Sequence, residues 1–177
     1  IAKMAAGSRP LEEKRRVEYR EIAARSFIGR CSGGDRLPFQ WTINPYRGCE
    51  FGCHYCYARY THEFMELRDG RSFETRIFAK QWSAAAFAKE LRRIPLGDWI
   101  AIGTATDPYQ PAERRFRVTR GILEVFAKES GYRLSIISKS DLIARDADLF
   151  AEIARKNELR VNVTVTTMDE GLARALE

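Results

Sequence analysis

The chain has 177 residues, of which 45% are hydrophobic and 31% charged, and this composition fits a soluble globular protein of one domain. No apolar run approaches the ~20 residues of a membrane span, and the first ten residues lack the apolar core of a signal peptide, so we expect a cytoplasmic protein without membrane contact. The net charge of +6 is compatible with nucleic-acid contact but does not establish it.

The first 38 residues predict a separate N-terminal arm and loop. Residues 10–25 carry a weak apolar stripe among many charges, which predicts one helix that packs as an arm or cap, or that lies against a polyanion. Residues 29–38 are rich in glycine and end in proline, so they are predicted as a loop, in which Cys31 stands alone. The short apolar segment Phe39–Ile43 is predicted as the first core strand.

Three cysteines follow this strand in the order Cys49-x3-Cys53-x2-Cys56. Clustered thiolates are soft ligands, and they favour iron–sulfur or zinc binding over packing. The second Cys-x2-Cys pair of a zinc ribbon is missing, although His54 or His62 could complete a zinc site. A disulfide plus a free thiol is a further alternative, which such close spacing disfavours. Three ligands on a cubic cluster would leave one iron open for a substrate or cofactor.

The rest of the chain predicts alternating strands and helices. Residues 57–66 are predicted as a helix with core aromatics, 72–79 as an extended segment, and 83–94 as a helix capped by Ser83. Further predicted strands and helices alternate in this order: strand 99–102, helix 111–130, strand 134–137, helix 146–156, strand 161–165 and helix 169–176. Strands separated by helices predict right-handed βα units and a parallel sheet, here with four strands.

The motif Cys49-x3-Cys53-x-Tyr55-Cys56 resembles the signature of the radical S-adenosylmethionine (radical SAM) enzymes. Within that superfamily, residues 103–113 and 138–141 resemble blocks of the spore photoproduct lyase-like branch. The resemblance implies an α/β fold, a partial (β/α)6 TIM-like radical SAM barrel. Residues 39–177 would form the N-terminal part of that core domain. Because only four strands are visible, we expect the chain to be truncated after about the fourth strand, and the missing initiator methionine predicts a fragment or a processed chain.

The same resemblance implies an enzyme with two cofactors. A 4Fe–4S cluster would be held by Cys49, Cys53 and Cys56, and its open iron would bind S-adenosylmethionine. Reductive cleavage would then give a 5′-deoxyadenosyl radical that abstracts hydrogen from a substrate. The implied partners are S-adenosylmethionine and a one-electron reductant such as flavodoxin or ferredoxin. DNA is a further candidate, since the branch includes a lyase that acts on DNA lesions.

Polar residues follow the predicted strands at the edge where parallel sheets gather functional groups. By their position after the second strand, Thr104, Thr106 and Asp107 are candidates to hold the amino group of S-adenosylmethionine, although Asp107 could simply turn the chain. Lys139 follows the third strand, where a buried amine needs an anionic partner. The resemblance implies the cofactor carboxylate for this partner, and a salt bridge to a neighbouring helix is the alternative.

Two more residues complete the predicted cofactor site. Thr164, after the fourth strand, could reach the ribose, although threonine is also common in strands for packing reasons. Tyr55 is placed to pack near the adenine. A different class of function remains open from the residues alone, namely a non-catalytic zinc-binding module that binds nucleic acid through the same cysteines and the basic surface.

Overall fold

The computed structural model describes residues 9–14, 17–31 and 37–176, and it is a mixed α/β fold with two sheets. The strands are β1 (Arg9–Lys14), β2 (Val17–Ile22), β3 (Ile28–Arg30), β4 (Trp41–Ile43), β5 (Tyr46–Arg47), β6 (Arg76–Lys80), β7 (Trp99–Ile102), β8 (Arg133–Ser138) and β9 (Glu158–Val163). The α-helices are α1 (Ser72–Thr75), α2 (Ala84–Leu91), α3 (Ala112–Phe116), α4 (Val118–Phe126), α5 (Ala147–Ala154) and α6 (Glu170–Leu176). Two 3-10 helices span Tyr57–Met65 and Asp141–Asp146.

The larger sheet has the order β3-β4-β7-β8-β9, and its last four strands are parallel. This arrangement agrees with the predicted run of βα units. Short apolar strands such as Trp99–Ile102 pack against the amphipathic helix α4, and Ile100, Ile102 and Ile122 are fully buried between them. Antiparallel β3 covers the β4 edge. The sheet is open, and the described residues form no closed barrel.

The smaller sheet, of order β1-β2-β6-β5, corrects the prediction of an N-terminal helical arm. Residues 9–14 and 17–22 form an antiparallel hairpin, and β2 pairs in parallel with β6. Tyr19 lies in the main core, whereas Ile22 packs on the other face of the sheet with Met65 and Phe78. Because both faces of β2 are covered, its buried residues are three apart, a spacing that resembles a helical stripe.

Other predicted boundaries also differ from the structure. The helix predicted over 111–130 is two helices, since Arg117 has a left-handed backbone (φ 51°) and the Glu113 carboxylate accepts the Thr119 and Arg120 N–H groups at the start of α4. Residues 72–79 begin with α1 before they become β6. Residues 146–156 begin with the end of a 3-10 helix. The last strand is Glu158–Val163 rather than 161–165.

The prediction that the aromatic residues of the first 3-10 helix belong to the core is wrong. Tyr57, Tyr60 and Phe64 are 70%, 51% and 55% exposed, because the other face of this helix, including His62 and Met65, packs on the smaller sheet. Of the loop predicted at 29–38, β3 occupies the beginning, and residues 32–36 lie outside the described residues. No helix in the described part of the chain is long and apolar enough to cross a bilayer.

Two glycines allow the loops of the candidate site to approach their neighbours closely. Gly48 precedes Cys49 with φ 83°, and a Cβ there would lie 2.8 Å from the carbonyl oxygens of Phe73 and Arg76. Gly103 follows β7 with φ 95°, and its Cβ would lie 2.6 Å from the carbonyl oxygen of Ile137. Side chains are strained at both positions, so glycine is required for these two turns.

Candidate functional site

All nine residues predicted for the site line one cavity of about 230 Å³ at the carboxyl ends of the parallel strands. The loop after β5 supplies one wall, and the ends of β7, β8 and β9 supply the other. The nine residues are Cys49, Cys53, Tyr55, Cys56, Thr104, Thr106, Asp107, Lys139 and Thr164. The structure thus brings the predicted site residues together, and their individual roles remain predictions.

The three cysteines are free thiols on the same wall of this cavity. Burial raises the pKa of Cys49 to about 12, while hydrogen bonds with the backbone of Asp107 and Phe51 act in the opposite direction. Metal coordination deprotonates such a thiol, and the two backbone hydrogen bonds are already placed to stabilise the resulting charge. The donor set therefore fits an iron–sulfur cluster, in which each cysteine binds a different iron.

The histidines do not complete a zinc site with these cysteines. His54 is exposed, and its backbone N–H donates to the Leu176 carbonyl at 3.0 Å. His62 is buried; its ring lies against Phe73, and its Nε2 is 3.2 Å from the Arg76 carbonyl oxygen. In the described residues, no three His, Cys, Asp or Glu side chains converge on one metal ion.

The backbone around Cys49 is held by a buried amide that sequence analysis did not single out. Gln110 is fully buried, and its Nε2 donates to the Gly48 carbonyl (3.0 Å) and to the Thr106 hydroxyl (2.8 Å). Its Oε1 accepts the Glu50 N–H at 3.0 Å. The Thr106 hydroxyl donates to the Gly48 carbonyl at 2.6 Å. Gln110 and Thr106 thus clamp the two residues that flank Cys49.

Asp107 ties the end of β7 to the end of β8. Its carboxylate accepts hydrogen bonds from the Ser138 hydroxyl (2.7 Å) and from the backbone N–H groups of Lys139 (2.9 Å) and Tyr109 (2.8 Å). Burial raises the pKa of Asp107, and these hydrogen bonds lower it. The contacts support the turn-forming alternative for Asp107, and they fix the position from which the Lys139 side chain departs.

The Lys139 side chain reaches back to the cysteine loop. Its ammonium donates to the Tyr55 hydroxyl at 2.6 Å and lies 5.0 Å from the centre of the Tyr55 ring. The Tyr55 hydroxyl is also 2.9 Å from the Thr166 hydroxyl, beyond β9. Tyr55 therefore connects the cysteine loop with the segments that follow β8 and β9.

Thr104 belongs to a polar cluster at the ends of β4 and β7. Its hydroxyl contacts the Thr42 hydroxyl and the Asn44 amide, the latter at 3.1 Å. Asn44 also accepts the Ala105 N–H at 2.8 Å, and the Tyr57 hydroxyl donates to the Thr104 carbonyl. Asn44 was not predicted, since an isolated Asn-Pro pair in a sequence indicates only a turn.

Comparisons with known proteins indicate the family of the chain and do not concern individual site residues. A sequence model described as the Radical SAM superfamily matches residues 43–177. An uncharacterized protein of Mycobacterium tuberculosis is 38% identical over 165 residues, which cover 91% of this chain and 47% of that protein. An uncharacterized protein of Methanocaldococcus jannaschii is 29% identical over 143 residues, 78% of this chain and 49% of that protein. The chain thus spans about half the length of these relatives. No solved structure matches it.

Proposed function

Because the chain belongs to the radical SAM superfamily, we propose that it carries a 4Fe–4S cluster on Cys49, Cys53 and Cys56 and binds S-adenosylmethionine in the adjoining cavity. Membership implies an enzyme with iron–sulfur chemistry and a one-electron reductant as its partner. The observation that carries the proposal is that three free cysteines and the strand-end polar residues line one cavity.

In this proposal, Cys49, Cys53 and Cys56 would hold the cluster, which together with S-adenosylmethionine would supply reductive cleavage and hydrogen abstraction from a substrate. The chain's own residues would bind and orient the cluster and the cofactor. Gln110 and Thr106 hold the backbone at Cys49, and Asp107 fixes the backbone of Lys139. The Lys139 ammonium would bind the carboxylate of S-adenosylmethionine. Thr104 and Thr164 also line the cavity, and in this proposal they would contact the amino group and the ribose.

The finer assignments are proposals as well. We propose that the four parallel strands are the first part of a (β/α)6 barrel, since their site lies at the carboxyl strand ends and the relatives are about twice as long. Residues 103–113 and 138–141 support the spore photoproduct lyase-like branch and, with the net charge of +6, DNA as the substrate class. A reducing, cytoplasmic setting suits the cluster thiolates.

The experiment is anaerobic reconstitution with iron and sulfide, followed by calorimetry with S-adenosylmethionine. We expect a brown protein that binds the cofactor. Lys139→Met should keep the iron and lose about 10- to 100-fold in affinity, as expected for one charge-assisted hydrogen bond. A colourless protein with stoichiometric zinc would contradict the proposal. Increased cofactor cleavage on addition of lesion-bearing DNA would support the substrate class, and unchanged cleavage would remove it.

A further inference from the structure

The contact between Lys139 and Tyr55 joins two residues that lie 84 positions apart in the chain. Tyr55 sits between two of the cluster cysteines, and its ring is half exposed at the cavity. The hydroxyl has Lys139 Nζ at 2.6 Å on one side and Thr166 Oγ1 at 2.9 Å on the other. A phenol can accept and donate at the same time, so both contacts are satisfied together.

We propose that Tyr55 is a positioning residue whose hydroxyl holds the Lys139 ammonium in the orientation that receives the carboxylate of S-adenosylmethionine. This inference rests on the proposed function and assigns Tyr55 a role beyond packing near the adenine. The bond to the Tyr55 hydroxyl uses one of the three N–H groups of the ammonium.

The physical reason is side-chain entropy. A lysine side chain has four rotatable bonds, and ordering it on ligand binding costs conformational entropy. Asp107 already fixes the Lys139 backbone, and the Tyr55 hydroxyl fixes the other end of the side chain. With both ends held before the ligand arrives, less of this cost falls on cofactor binding.

The test compares Tyr55→Phe with wild type in the reconstituted holoenzyme, by calorimetry with S-adenosylmethionine under anaerobic conditions. Phenylalanine keeps the ring and its contact with the ammonium but lacks the hydroxyl. We expect affinity to fall about 3- to 10-fold, the equivalent of one hydrogen bond, with unchanged iron content. In turnover, KM for the cofactor should rise while kcat at saturation stays the same. Tyr60→Phe is the matched control, because Tyr60 is also 51% exposed and lies outside the cavity.

A double-mutant cycle separates this role from general packing. In a Lys139→Met background the Tyr55→Phe change should have no further effect, since there is no ammonium left to position. Wild-type affinity in Tyr55→Phe, or the same fold-loss with and without Lys139, would overturn the inference. Failure of the wild-type holoenzyme to bind the cofactor would instead overturn the proposed function.

Discussion

Replacement of Gln110 by alanine should weaken the fold and the cluster loop together. The side chain is fully buried and makes three hydrogen bonds around the backbone of residues 48–50 and to Thr106. The Gly48 carbonyl keeps its bond from Thr106, whereas the Glu50 N–H loses its acceptor. At about 1 kcal/mol net for each bond, with more for an orphaned buried donor, the free energy of unfolding should fall by about 2–4 kcal/mol.

The assay is urea unfolding of the apoprotein, followed by circular dichroism, together with the iron content after reconstitution and desalting. Gln81→Ala is the matched control, since Gln81 is exposed and the same change at a surface position shifts stability by less than about 0.5 kcal/mol. We expect Gln110→Ala to lose both stability and iron. If Gln110→Ala has the same unfolding free energy and the same iron content as Gln81→Ala, the Gln110 hydrogen bonds do not hold the backbone around Cys49.

Three other predictions follow from the same structure. Cys53→Ala should abolish iron loading and Cys31→Ala should leave it intact; equal iron in both variants, measured by colorimetric assay, would contradict the ligand assignment. Asp107→Asn places an NH2 donor where the carboxylate now accepts the Lys139 N–H, and it should lower the free energy of unfolding by about 1–3 kcal/mol in denaturant titrations. An unchanged unfolding midpoint would show that Asp107 does not connect the ends of β7 and β8. Burial, followed by the nearby positive charge of Arg47, lowers the pKa of Lys80 from 10.5 to about 7. Between pH 7 and 10 the unfolded chain therefore keeps a proton that the folded Lys80 amine has lost, and the free energy of unfolding should rise by up to about 1.4 kcal/mol per pH unit. Lys80→Met should remove this part of the pH dependence. The same pH dependence in wild type and Lys80→Met would contradict the prediction.

The parallel βα part of the fold could be predicted because each element is specified locally. Trp99–Ile102 is a continuous apolar run, and Ser83 caps α2 by accepting the Ala86 N–H at 3.3 Å. The smaller sheet could not be predicted in this way. Its strands β1 and β2 carry the charged residues of a surface helix, and they adopt strand structure because β2 pairs with β6, more than 50 residues away.

Part of the candidate site could likewise be predicted from the sequence, and part could not. Strand ends in a parallel sheet converge, so the positions of Thr104, Lys139 and Thr164 on one cavity follow from topology. The function of individual polar groups depends on partners that only the folded chain brings together. Gln110 gives no sequence signal, since its importance comes from its burial beside Gly48 and Glu50.

Formation of 5′-deoxyadenosine shows whether the chain cleaves S-adenosylmethionine. Reconstituted wild type and Cys53→Ala are incubated with dithionite and S-adenosylmethionine under argon, and the nucleoside is quantified by chromatography. We expect slow formation of 5′-deoxyadenosine by wild type, even without substrate, and none by Cys53→Ala. A wild-type protein with an intact, reducible cluster and bound cofactor that yields no 5′-deoxyadenosine, with or without lesion-bearing DNA, would contradict this expectation.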